Sequence, residues 1–276
     1  MQYVTGIRPE IFEWQQVEAP ALGDVGVAVN GTVWGVALHD TSGNDEGTVH
    51  RWDGRRWHEQ PVTARHVEAA PRGEAWLVDA GGVLHEPVDG GWAPVETPGP
   101  VLDVSIGLDG GVWVVTKGEG PGTSGVFRRK GADWLDDHDS PADVRYPFDV
   151  PWVPADDDDY HLPHEGIAPS DPLAVAAMAD GLPWVVDHDG SMYRRVPGGW
   201  QLMPHEPASD IDIAPDGNVW IVGRDQRRHG FGPWRYYHGT DWDCHDGEAV
   251  RISAGYDGLP WIVDGLGRLF RQHVRL

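Results

Sequence analysis

The sequence predicts an all-β fold: a six-bladed β-propeller with four-stranded antiparallel blades. A unit of alternating apolar residues, a turn around Gly and a Trp within an apolar run recurs at roughly 36–42 residues. A second Trp follows in most units, and the units extend over the chain, so we predict a single domain, 1–276. The six copies are Val25–Trp34, Val67–Trp76, Val104–Trp113, Val175–Trp184, Ile211–Trp220 and Ile252–Trp261.

The fifth copy illustrates how one unit makes a blade. Asp210–Ile213 alternates polar and apolar residues, the period-two pattern of a half-buried strand. Pro215–Asn218 is a turn sequence, because Pro presets φ and Gly accepts positive φ. The apolar run Val219–Val222 is expected of a strand covered on both faces. A third strand is predicted over Trp234–His238 and a fourth from Trp242.

The second Trp also predicts how the ring closes. It is absent after Trp261, but Trp14 precedes Trp34 by the same 20 residues that separate Trp200 from Trp220. We therefore expect the N-terminal strand, residues 11–17, to complete the last blade, which removes the exposed edge of an open stack. In the other five units the second Trp is Trp57, Trp92, Trp134, Trp200 and Trp242.

Connection lengths predict which end of the propeller binds a ligand. The turns between strands one and two, and three and four, are short and lie at one end. The connections at the other end vary, and are long at His39–Gly47, Lys117–Gly125 and Arg224–Gly232. The longest is an insertion at about 135–173, between blades three and four. Because insertions in repeat proteins concentrate on binding faces, we predict one elaborated, ligand-binding face, with neutral loop drift as the alternative.

Three segments resemble the tectonin-repeat β-propellers, the tachylectin-like and fungal tectonin lectins. They are Trp-Gln-Gln-Val at Trp14–Val17, Val-Trp-Gly-Val at Val33–Val36 and Met-Tyr-Arg-Arg at Met192–Arg195. The resemblance implies a lectin-like protein that binds sugars, often methylated or acetylated ones. No sugar-binding signature of that family can be matched residue by residue.

Candidate ligand-binding residues come from the long connections and the insertion. Aromatic rings and planar polar side chains there would hold a neutral glycan or a similar small molecule, while His and carboxyl groups would also suit acid–base chemistry. No catalytic residue is assigned. The candidates are His39, Asp40, Trp152, Tyr160, His161, His164, Glu165, Asp187, His188, Arg227 and His229.

The run Asp156–Asp159 offers carboxylate oxygens, which suit Ca²⁺. Asp156 and Asp158 are the candidate metal ligands, but the EF-hand pattern is not met, and a solvated acidic loop is the plainer interpretation. His161 and His164 do not form a helical metal motif, because Pro163 opposes a helix. No cofactor is expected, with Ca²⁺ as the alternative.

Composition limits the partners. The formal net charge of −23 disfavours nucleic acid and anionic membranes and favours neutral or cationic ligands, or simply a self-repelling surface. Cys244 is the only cysteine, so no intramolecular disulfide forms. No secretory signal is visible, so we expect a cytoplasmic protein, with non-classical export left open. We also expect a monomer.

Three functions remain in competition. The first is a lectin-like binding module at the long-loop face. The second is a small-molecule enzyme, a hydrolase, lyase or cyclase, with one active site under the 135–173 insertion. The third is a protein-interaction platform. Near-equivalent pockets between blades favour the first, whereas a single asymmetric pocket favours the second.

Overall fold

The computed structural model describes residues 11–38, 46–118, 124–137, 169, 171–177, 181–196, 199–203, 207–237 and 241–275. They form six antiparallel sheets of four strands each, which confirms the predicted propeller. Among these residues, no helix has the length and hydrophobicity needed to cross a membrane.

Each sheet is one blade, and its strands follow chain order from the axis outwards. Blade one contains β2 (Leu22–Val27), β3 (Val33–Ala37), β4 (Gly47–Trp52) and β5 (Trp57–Ala64). Blade two contains β6 (His66–Ala69), β7 (Ala75–Val78), β8 (Leu84–Val88) and β9 (Gly91–Val95). Blade three contains β10 (Val101–Ile106), β11 (Val112–Thr116), β12 (Gly125–Lys130) and β13 (Asp133–Asp136).

The second half of the ring repeats this order. Blade four contains β14 (Pro172–Ala177), β15 (Pro183–Asp187), β16 (Met192–Val196) and β17 (Gly199–Met203). Blade five contains β18 (Ala208–Ile213), β19 (Val219–Arg227), β20 (Gly230–Tyr237) and β21 (Asp241–Cys244). Blade six contains β22 (Arg251–Ala254), β23 (Pro260–Val263) and β24 (Leu269–Arg275), completed by β1 (Ile11–Val17).

The two ends of the propeller differ in their connections. We call the end that carries the turns between first and second strands, such as 28–32, the turn face. The opposite end, where second strands pass to third strands and each blade links to the next, is the link face. Every innermost strand therefore starts at the link face and ends at the turn face.

The core lies between adjacent sheets, and the inner Trp side chains form much of it. Trp113, Trp184 and Trp220 are almost completely buried. The indole N–H of Trp34 donates to the carbonyl of Gly73 at 2.9 Å, and that of Trp220 donates to the carbonyl of Gly258 at 3.0 Å. Each of these bonds reaches the turn of the next blade, so the Trp ties neighbouring blades together as well as filling the core.

The two chain ends close the ring as predicted. Strand β1 pairs with β24 over its whole length, from Ile11 opposite Arg275 to Val17 opposite Leu269. The indole N–H of Trp14 donates to the carbonyl of Asp246, next to blade five. Blade six thus takes its outermost strand from the N-terminus.

Blade five departs from the sequence prediction. The segment Arg224–Gly232, expected to be a long loop, is the end of a long hairpin in which β19 and β20 turn at Arg228–His229. Ladder pairing resumes after an irregularity, with Gln226 opposite Phe231. The carboxylate of Asp225 accepts the N–H of Gly232 at 3.1 Å, which holds the irregular stretch together.

Removal of residues 1–18 should abolish the cooperative thermal transition, because β24 would lose one of its two partner strands and blade six would no longer join the two ends of the chain. Removal of residues 1–10 alone is the matched control, since it leaves β1 whole. Circular dichroism and calorimetry of both truncations measure the effect. An unchanged transition after the longer deletion would show that β1 does not close the ring.

Candidate functional site

Six residues at equivalent positions of the innermost strands surround the axis. Each lies within the first three residues of its strand, close to the link face, and each pairs with a Val of the second strand. We call these six residues the axial ring. They are Asp24, His66, Asp103, Ala174, Asp210 and Arg251, opposite Val36, Val78, Val115, Val186, Val222 and Val263.

Opposite charges alternate around most of the axial ring. His66 Nδ1 lies 2.8 Å from Asp24 Oδ2, and His66 Nε2 lies 2.9 Å from Asp103 Oδ1. Arg251 Nε lies 3.6 Å from the other oxygen of Asp24. From blade six to blade three the signs are therefore plus, minus, plus, minus. Blade four interrupts the pattern with Ala174, and Asp210 follows in blade five.

A second layer of polar residues lies two positions further along the innermost strands. It consists of Glu68, Ser105, Asp212 and Ser253, with Gly26 and Ala176 in the remaining blades. A cavity of about 20 Å³ lies between the axial ring and this layer. A second cavity of about 30 Å³ continues from the same layer towards the turn face, where apolar side chains such as Val29, Pro71 and Leu108 line it. We call the two cavities together the channel.

Many of these side chains join adjacent blades. Asp24 accepts the N–H of Val67, Asp103 that of Val175 and Asp210 that of Ile252, each at 2.8 Å from the next blade. The second layer acts in the same way, as in the bonds of Ser105 to Ala177 and Ser253 to Val27. The acceptors satisfy N–H groups on the free edge of the innermost strand, which would otherwise be costly to bury.

The ion pairs shift the pKa values of His66 and Asp24 towards their charged forms. Burial alone would lower the pKa of His66, but the carboxylates of Asp24 and Asp103 raise it well above its usual value. Burial would raise the pKa of Asp24, yet the attraction of His66 and Arg251 lowers it. His66 is thus held as an imidazolium between two carboxylates.

The remaining carboxyls are shifted the other way. Burial raises the pKa of Asp210 to about 7, with repulsion from Asp103 and Asp24 adding to the effect and Arg251 opposing it. Burial, followed by the negative charge of Asp212, raises the pKa of Glu68 well above its usual value. Burial also raises the pKa of Asp212. The pKa values of Asp210 and Asp212, about 7 and about 6, thus lie closer to neutral pH than those of ordinary carboxyls.

Most residues selected from the sequence lie outside the described residues, so their roles stay predictions. Those outside are His39, Asp40, Trp152, Asp156, Asp158, Tyr160, His161, His164 and Glu165.

The other four candidates lie at the link face, but largely in structural contacts. Asp187 is buried and opposes Pro172 at the start of blade four. The carbonyl of His188 accepts a bond from the Arg224 side chain at 2.8 Å.

Arg227 is engaged with the segment that follows β21. Its guanidinium donates to the carbonyls of His245 and Gly247, and its Nε lies 3.2 Å from Asp225 Oδ2. The backbone of His229 bonds to the Glu248 carboxylate. Whether these side chains also contact a ligand stays a prediction.

The axial ring was missed by reasoning from the sequence, although a signal for it existed. Aligning the copies on their Trp residues places Asp, His, Asp, Ala, Asp and Arg in one column. Taken copy by copy, these residues read only as the polar positions of half-buried strands. In the described part of the chain, no group of three or more His, Cys, Asp or Glu side chains is placed to hold a metal ion.

An open groove of about 560 Å³ lies on the outer side of blades one and two. Its lining includes Glu46, Gln60, Thr63, Asp79 and His85. Glu46 already accepts bonds from the Thr63 hydroxyl and from the N–H of Ala80, at 2.8 and 2.7 Å. The groove is large enough for a small ligand, but no aromatic ring other than the His85 imidazole lines it among the described residues.

Comparison with known proteins supports the fold. No protein-family profile and no curated protein sequence matches the chain. A solved structure named for gluconolactonase superimposes with a TM-score of 0.61 at 12% identity, over 96% of this chain and 92% of that one. The WD40 propeller domain of Doa1 gives 0.58 at 10% identity, over 95% and 97%. Regucalcin of Agrobacterium tumefaciens C58, a calcium-binding protein, gives 0.55 at 13% identity, over 92% and 90%. At such identities the likeness establishes a β-propeller and leaves the function to the site.

Proposed function

We propose that this protein binds a small molecule at one site, the axial ring at the link face. The observation that carries the proposal is the excess of charge in the ring. The carboxylates of Asp24, Asp103 and Asp210 accept N–H bonds from the next blade. Ser105 and Ser253 accept bonds of the same kind although their hydroxyl groups carry no charge. Joining blades therefore does not require ionised groups. Asp24 is buried and the side chains of His66 and Asp103 are only 21% and 15% exposed, and removing charge from water is costly, so these charges call for another role.

The position of the ring agrees with the asymmetry of the connections. The ring lies at the end that carries the long blade-five hairpin. Strands β3 and β13 also end there, before residues 39–45 and 138–168 of the chain. The opposite mouth of the channel is lined by Val29, Pro71 and Leu108 in tight turns. A polar ligand is better accommodated among charged side chains than at this apolar mouth.

A lectin-like function is the second candidate. The resemblance to tectonin repeats favours a neutral glycan, and the outer groove between blades one and two supplies carboxylate, amide and hydroxyl groups suited to sugar hydroxyls. The names of the structural neighbours point to an enzyme, a calcium-binding protein and a WD40 domain, so they favour no single ligand. Ca²⁺ binding by Asp156 and Asp158 remains a separate prediction.

Catalysis at the axial ring is a third candidate, favoured by one observation. A carboxyl whose pKa is about 7, as in Asp210, is suited to act as a general acid or base at neutral pH. Every ligand that binds at the ring should therefore also be tested for turnover by product analysis.

A thermal-shift screen of small metabolites, combined with a glycan array, tests the proposed site. Hits should lose their effect in Asp210→Asn, which keeps an oxygen to accept the Ile252 N–H but carries no charge. Asp79→Asn, in the outer groove, is the matched control and should leave the hits unchanged.

The reverse result would overturn the axial site and favour the lectin-like groove. If neither substitution changes any hit, the small-molecule site is wrong at both places, and a role in protein interaction becomes the better hypothesis. Replacing residues 140–168 by a short Gly-Ser link in parallel measures whether the insertion contributes to binding.

The pH dependence of stability should identify Asp210 as a half-buried carboxyl whose charge Arg251 compensates only in part. Its native pKa of about 7 lies above the unfolded value, so the stability it provides is present below pH 4 and lost as pH rises through 7. Asp210→Asn lacks this loss, so its free energy of unfolding minus that of the wild type should increase by about 1 to 3 kcal/mol from pH 5 to pH 8. Urea denaturation at the two pH values gives the difference. A difference independent of pH would mean that Asp210 is ionised throughout.

A further inference from the structure

We propose that the ligand of the axial ring carries a primary ammonium group, which occupies the blade-four position between Asp103 and Asp210, over Ala174. The inference rests on the proposed axial site and adds the chemical class of the ligand.

The charge order of the ring is the first argument. Arg251, Asp24, His66 and Asp103 form an alternating series with contacts of 2.8–3.6 Å. A cation in blade four would continue the series and separate Asp103 from Asp210. The chain supplies Ala174 there, whose register opposite Val186 matches that of the charged members. An external cation would complete the ring.

The size of the space is the second argument. The cavity below the ring measures about 20 Å³, and Asp103, Asp210 and Val175 of blade four all line it. About 10–15 Å³ suffices for one water molecule, and an ammonium group is of similar size.

The available acceptors fit an ammonium group better than a metal ion. One oxygen of Asp210 accepts the N–H of Ile252, and one oxygen of Asp103 accepts that of Val175, so both carboxylates are fixed in position and keep further lone pairs. An ammonium group has three donors and accepts separated partners. A divalent metal requires several oxygens converging at 2.0–2.6 Å, and the described side chains form no such group.

The raised pKa of Asp210 agrees with this assignment. Asp103 and Asp24 help to raise the pKa of Asp210, because the single guanidinium of Arg251 does not compensate the negative charges around it. An ammonium group beside Asp210 would favour its ionised form. Amine binding at pH 7 should therefore release part of a proton, which calorimetry in two buffers with different ionisation enthalpies can measure.

The first test supplies the cation from the protein itself. In Ala174→Lys, a flexible side chain with a terminal ammonium starts at the ring position. Ala174→Met is the control, because it has a similar length without charge. The melting temperature of Ala174→Lys minus that of Ala174→Met should increase from pH 5 to pH 8, as Asp210 ionises. A difference that is negative and independent of pH would overturn the proposal.

The second test uses the intact wild-type protein with two matched probe pairs, ethylamine with ethanol and glucosamine with glucose. Saturation-transfer NMR should detect binding of the amines alone, weakened about tenfold or more in Asp210→Asn, since the charged partner is lost. Neutral ligands that bind and depend on Asp210 would keep the axial site and overturn the ammonium inference. The absence of any probe or screen hit that depends on Asp210 would overturn both.

Discussion

The structure depends on how each innermost strand satisfies its free edge. In a propeller blade the first strand pairs with the second on one side only, and its other side faces the axis. N–H groups there must find acceptors or remain unpaired near the core. Asp24, Asp103 and Asp210 supply these acceptors from the preceding blade, and the second layer adds Ser105 and Ser253. A polar channel is thus a requirement of the closed ring, whatever the protein binds.

That requirement distinguishes polar groups needed to join the blades from charges that are not needed for this role. Uncharged hydroxyl or amide groups could accept the same bonds, and Ser residues do so in two blades. Carboxylates add a desolvation cost, which His66 offsets for Asp24 and Asp103 but which Asp210 retains in part. The charge balance of the ring is incomplete on the side of blades four and five, where Ala174 occupies a position that is charged in the other blades. The departure from ring symmetry therefore marks the place where a cationic ligand would offset the excess of negative charge.

The sequence predicted the fold well because local patterns determine it. Tryptophan spacing was sufficient to place Trp14 in the last blade, and β1 pairs as expected. Pairing through Gln226 and Phe231 was not predictable, since it follows an irregularity in the ladder that no local pattern marks. The axial ring was missed for a different reason. Its members are 36–71 residues apart in sequence, and only closure of the ring brings His66 within 3 Å of two carboxylates.

The two ends of the channel impose different constraints on the chain. At the turn face, tight turns with a Gly at positive φ, such as Gly31 and Gly110, fix both length and conformation, so little variation is tolerated. The innermost strands begin at the link face, and the connections before them can lengthen without disturbing the sheets. Charged residues in the first three positions of the innermost strands are therefore rigidly held by the sheets and adjacent to the variable connections. This combination of a fixed electrostatic site with adaptable surroundings explains why the axial ring, rather than the loops alone, is the better starting point for finding the ligand.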